Sequence, residues 1–92
     1  MIKSFIHKGL GDFFYDGIRK GIQAKHASKL EAMLDRLDAA SEIKDMNYPS
    51  SGLHLLLPKK KGRWAIKVSG NWRLTFEFKD GDAFSVDIED YH

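Results

Sequence analysis

The chain has 92 residues, with 15 lysines and arginines against 13 aspartates and glutamates, a net charge of +2 and a sequence pI of about 8.9. That length allows one domain over residues 1–92 with a thin core. There is no cysteine, which excludes disulfides and thiolate metal sites. No apolar run approaches a membrane span or the core of a secretion signal, so a cytoplasmic protein without membrane contact is expected.

Residues 2–6 alternate apolar and polar, as a short strand does, and Gly9 and Gly11 break the run. Phe13, Phe14, Ile18 and Ile22 recur near every fourth position, which predicts a short helix that Gly17 and Gly21 interrupt or end. Residues 24–40 carry the clearest helical pattern. Ala27, Leu30, Met33, Leu34 and Leu37 form one apolar stripe, suited to packing on a sheet. Residues 42–52 look irregular, and Pro49-Ser50-Ser51-Gly52 is turn chemistry. A short strand is expected at 53–57, stopped by Pro58. Trp64, Ile66 and Val68 alternate with polar or small residues, as do Trp72, Leu74, Phe76 and Phe78, then Phe84, Val86 and Ile88. Asp80-Gly81-Asp82 reads as the hairpin turn between the last two runs. The order predicts an α+β domain: one curved, antiparallel-rich sheet of about four to five strands with the N-terminal helices on one face.

The opposite face is either solvated or a binding surface. The strand phases put Arg63, Ala65, Lys67, Arg73, Thr75, Glu77, Ser85, Asp87 and Glu89 on it, and send Phe84, Val86 and Ile88 to the core. An arginine there can grip a phosphate through two parallel hydrogen bonds, or it can pair with a carboxylate such as Asp87. Lys59, Lys60, Lys61, Arg63 and Lys67 crowd nine positions, a patch that either attracts a polyanion or keeps a loop solvated. His54 borders this patch, and Asp90, Tyr91 and His92 close the chain.

Those groups suit RNA cleavage by internal attack. The 2′-hydroxyl must lose a proton, the phosphate gains charge and the 5′-oxygen must receive a proton. Histidine performs either proton transfer near neutral pH, and an arginine stabilises the charged phosphorane. The four histidines (His7, His26, His54 and His92) show no metal-binding spacing, so neither metal nor cofactor is expected.

Several motifs occur together in order. They are Met1-Ile2-Lys3-Ser4-Phe5 followed by His7-Lys8-Gly9-Leu10, then Leu37-Asp38-Ala39-Ala40, Leu53-His54 and Gly62-x-Trp64. After them come Val68-x-x-Asn71-Trp72-Arg73-Leu74-Thr75-Phe76, Asp80-Gly81-Asp82-Ala83 and the ending Glu89-Asp90-Tyr91-His92. This set resembles the HigB-type toxins, also called plasmid maintenance killer proteins, of the RelE-like superfamily. The resemblance spans essentially the whole chain. It implies a RelE-like fold and a metal-independent mRNA interferase that cleaves mRNA in the ribosomal A site. It also implies a helix-turn-helix antitoxin of the HigA kind as partner, with operator DNA bound by the complex. Catalytic residues carried over by the resemblance are His54, Arg73, Asp90, Tyr91 and His92. Arg73 would stabilise the phosphate, and His54 and His92 would exchange protons. Asp90 would orient them or act as base, and Tyr91 would stack on a base or donate to phosphate. Lys59, Lys60, Lys61, Arg63 and Lys67 are the expected contacts to mRNA or ribosomal RNA.

One departure stands out. The family pattern reads His-Pro-Leu-Lys-Gly where this chain has His54-Leu55-Leu56-Leu57, so Leu57 occupies the lysine position. Either Lys59 or Lys60 takes over that contact, or the contact is absent. The alternative function is therefore a non-catalytic RelE-like protein serving as corepressor with its antitoxin.

Overall fold

In the computed structural model, which describes residues 1–56 and 62–91, two helices lie against a four-stranded antiparallel sheet of order β1-β2-β3-β4. Helix α1 spans Lys8–Asp16 and α2 spans Ala27–Ala39, preceded by a 3₁₀ turn at Ala24–His26. The strands are β1 (His54–Leu56), β2 (Arg63–Ser69), β3 (Trp72–Lys79) and β4 (Asp82–Asp90). Residues 57–61 and 92, which include three of the expected RNA-binding lysines and the expected catalytic His92, lie outside the described residues.

Gly9 and Gly11 do not stand between a strand and a helix; both are inside α1. His7 caps that helix, its Nδ1 accepting from the Leu10 N–H at 3.1 Å. Gly17 ends it with φ 69, the left-handed conformation that glycine adopts without a Cβ penalty. Ile18 falls beyond the helix and is largely exposed. The α2 stripe behaves as its spacing predicts: Ala27, Leu30, Met33, Leu34 and Leu37 are all buried. They meet Ile66, Val68, Leu74, Phe76, Ala83 and Val86 from the sheet. A short 3₁₀ turn at Ile43–Met46, within the stretch expected to be irregular, adds the fully buried Met46.

Residues 1–6 form no ladder of their own. They run parallel beside β4 through two isolated bridges, Ile2 with Ala83 and Phe5 with Val86. Lys3 donates to the Ala83 carbonyl at 2.7 Å and Ile6 to the Val86 carbonyl at 2.8 Å. The far edge of the sheet is thereby covered by the start of the chain.

The β3–β4 hairpin turns on Asp80 (φ 52) and Gly81 (φ 82), a two-residue loop with both central residues at positive φ, as the right-handed twist of a tight hairpin requires. Farther along, the ladder slips. Thr75 faces Asp87 but Glu77 faces Phe84, so β4 carries one extra residue against β3. Ser85, at φ 51, is in this bulge. The slip inverts the phase of everything on its hairpin side. Ala83 is fully buried, whereas Phe84 shares a face with Glu77 and is not part of the helix-side core. The expectation that Phe84 packs with Val86 and Ile88 is thus corrected.

Candidate active site

Residues directly opposite each other in an antiparallel ladder share a face, so the registers give the open side of the sheet row by row. One row is His54, Ala65, Thr75 and Asp87, taken across β1 to β4. The next row toward the β2–β3 turn is Lys67, Arg73 and Glu89. The row on the other side is Leu56, Arg63, Glu77 and Phe84. Ala65 and Thr75 are fully buried and form a floor of small side chains between the charged rows. His54 stands two strands from Thr75, about 10 Å at roughly 4.8 Å per strand.

His54 is exposed, and its Nδ1 lies 2.9 Å from the Gly52 carbonyl. Arg73 is half-buried. Its Nη1 donates to the Gly70 carbonyl at 2.6 Å and to the Trp72 carbonyl at 3.0 Å. Asp87, one row away, has its Oδ1 accepting from the Ile88 N–H at 2.9 Å. The guanidinium is folded over the β2–β3 turn rather than beneath the helices.

The tail reaches the same corner. Glu89 stands opposite Arg73, Asp90 stands opposite Trp72, and the Tyr91 N–H donates to the Asn71 carbonyl at 2.8 Å. Asp90 is exposed, whereas the Tyr91 hydroxyl is buried. By register Asp90 shares the phase of Trp72, one residue out of step with Glu89 and Arg73. The backbones of Arg73, Asp90 and Tyr91 therefore lie at one corner by the β2–β3 turn, with Asp90 on the opposite phase from Arg73, while His54 stands on β1 at the far side of the floor.

Arg63 and Lys67 serve the face differently. Lys67 is exposed, and its stem lies against Gly52, where a Cβ added to the glycine would come 2.9 Å from the lysine Cε. Arg63 is drawn inward: its side chain is 13% exposed. Its Nη2 donates to Thr75 Oγ1 at 3.0 Å and to the Ser85 carbonyl at 2.8 Å, and its Nη1 is 3.6 Å from Glu77. The Thr75 hydroxyl in turn donates to Glu89 Oε2 at 2.5 Å. Strand phase places Thr75 and Glu89 on this face but assigns them no role. Gly52 reads in the sequence only as part of a turn.

On the helix side, His26 is buried edge-on to Trp72, ring centroids 5.6 Å apart. Burial lowers its pKa, and the nearby Lys25 and Lys29 add to the effect. Among the described residues no cluster of histidine, aspartate and glutamate has the makings of a metal site, and no helix is long and apolar enough to cross a membrane.

Comparison with known proteins follows the same outline. The family described as the RelE-like toxin of type II toxin-antitoxin system HigB matches residues 3–92. Endoribonuclease HigB of Proteus vulgaris is 42% identical over 92 residues, covering all of both chains. With an α+β fold, four antiparallel strands and a match that runs nearly end to end, the chain belongs to the HigB family of RelE-like toxins of type II toxin–antitoxin systems.

Proposed function

We propose that this toxin is an endoribonuclease that cuts mRNA in the ribosomal A site, at the corner of the open face formed by the β2–β3 turn and the C-terminal tail. One observation carries the reading: the Tyr91 N–H donates to the Asn71 carbonyl, two positions from Arg73, so the backbone of the tail is tied to the β2–β3 turn. The similarity to an endoribonuclease over both full lengths supports the activity.

In this mechanism the 2′-hydroxyl of the bound nucleotide attacks its own 3′-phosphate. His54 and His92 share the proton transfers, one removing the 2′-proton and the other protonating the departing 5′-oxygen. Arg73 offers its planar guanidinium to the phosphorane oxygens, which carry the most new charge in the transition state. Asp90 orients the imidazole of His92, and Tyr91 braces the tail or stacks on a base. Every step uses side-chain groups alone. Lys59, Lys60, Lys61 and Lys67 add sequence-independent attraction to RNA, while Arg63 acts from inside the face. The protein works in the cytoplasm. Its antitoxin is a helix-turn-helix protein, and the two bind operator DNA together.

Expression without the antitoxin is expected to arrest growth and to yield transcripts cut within the reading frame. Arg73→Ala and His92→Gln should each relieve the arrest while leaving the fold intact, the first lowering the cleavage rate by about 10²–10³-fold. Full toxicity of both variants would remove these residues from the mechanism. A folded wild-type protein that cuts no ribosome-bound mRNA but supports operator binding would establish the corepressor function instead.

A further inference from the structure

We propose that Thr75 and Glu89 are positioning residues of the cleavage site, acting on RNA through Arg73; this rests on the nuclease reading above. The direction of the hydrogen bonds is fixed by chemistry. The guanidinium of Arg63 can only donate, so Thr75 Oγ1 accepts from it. The one proton of the Thr75 hydroxyl then goes to Glu89 Oε2. Arg63, Thr75 and Glu89 therefore form a polarised relay across three strands, with a cation at one end and a carboxylate acceptor at the other.

Its location gives the relay a consequence. Thr75 is fully buried in the middle of the floor, so its hydroxyl has little freedom to seek other partners. Glu89 is the residue directly across the ladder from Arg73. A carboxylate clamped at that point sets the local field in which the Arg73 guanidinium settles. The Gly70 and Trp72 carbonyls hold one nitrogen of that guanidinium. Carboxylate and carbonyls together define its orientation before RNA arrives. A negative charge in an RNA-binding face costs affinity for phosphate. Holding the catalytic arginine in place offsets that cost, since a displacement of about 1 Å can lower a rate 10²-fold.

The experiment uses the intact toxin with Thr75→Val, Thr75→Ser and Glu89→Gln. Thr75→Val removes the hydroxyl but keeps the carboxylate charge, whereas Glu89→Gln removes the charge but keeps an acceptor. Single-turnover cleavage of ribosome-bound mRNA is expected to slow about 10- to 100-fold in both, with the half-saturating toxin concentration changed less than about threefold. Thr75→Ser should restore the rate. Independently of cleavage, the Arg73 side-chain Nε–H resonance, assigned by its loss in Arg73→Lys, should shift or broaden in Thr75→Val and Glu89→Gln and return in Thr75→Ser. An unmoved Arg73 resonance in both variants overturns the proposal, as do wild-type rates in a toxin that Arg73→Ala disables. If wild-type protein cuts no mRNA, the nuclease reading falls, and the resonance still decides whether the relay holds Arg73.

Discussion

Lowering the pH below about 6.5 is expected to destabilise this fold through one residue, His26. Its imidazole is 2% exposed, and its Nε2 is buried without a hydrogen-bond partner among the described residues. Protonation would place an N–H donor and a positive charge there with nothing to accept them, and Lys25 and Lys29 make the site less hospitable to charge. The folded-state pKa therefore lies below the ordinary value of 6.5. The sign follows from proton counting. Above about 6.5 both states are neutral at this position and stability is at its full value. As the pH falls further the unfolded chain gains a proton that the folded chain refuses, and stability drops until the folded-state pKa is reached. One proton limits the slope to about 1.4 kcal/mol per pH unit. For a domain of this size that corresponds to about 5–10 °C in Tm per unit. His26→Phe keeps a ring against Trp72 and removes the titrating nitrogen. Thermal unfolding followed by circular dichroism from about pH 7.5 to 5.0, a range that brackets the ordinary histidine pKa, should show a shallower decline for the variant than for the wild type. Identical slopes would refute the assignment of this pH sensitivity to His26.

Three further outcomes test the packing and the backbone. Leu74 is fully buried on β3, opposite Ile66 and Ile88, so Leu74→Ala should cost about 2–5 kcal/mol in urea unfolding; a loss below about 1 kcal/mol would mean that β3 is not central to the core. A Cβ on Gly21 would stand 2.9 Å from the Gly9 Cα, a backbone atom that cannot swing aside, whereas a Cβ on Gly17 meets nothing within 4 Å. Gly21→Ala should therefore destabilise more than Gly17→Ala, which bears only the strain of positive φ, about 1 kcal/mol; the reverse order in thermal melts would contradict the close approach. Ser85 holds φ 51 in the β4 bulge, so Ser85→Val should lose about 1–3 kcal/mol while Ser85→Gly is tolerated, and equal melting points for the two would place the strain elsewhere.

Much of this protein is legible along the chain because the decisive patterns are local. The α2 stripe repeats at helical spacing, so its burial follows from which residues lie three and four apart. The Trp72–Lys79 alternation and the Asp80-Gly81 turn likewise depend only on neighbouring residues. The family motifs that point to His54, Arg73, Asp90 and Tyr91 are also linear; the registers bring only the backbones of the last three near the β2–β3 turn and leave Asp90 out of phase with Arg73.

Tertiary structure decided what depends on partners far away in sequence. Phe84, Val86 and Ile88 alternate without a flaw, yet the bulge at Ser85 puts Phe84 on the other face, because register is set against β3 and not within β4. Arg63 belongs to a basic run in the sequence. In space it turns inward, because the Ser85 carbonyl, 22 residues on, and the Thr75 hydroxyl accept its protons. Residues 1–6 read as an ordinary strand, but their place beside β4 comes from hydrogen bonds to the opposite end of the chain. Periodicity records which way a side chain points relative to its neighbours; only the assembled sheet supplies the groups it meets there.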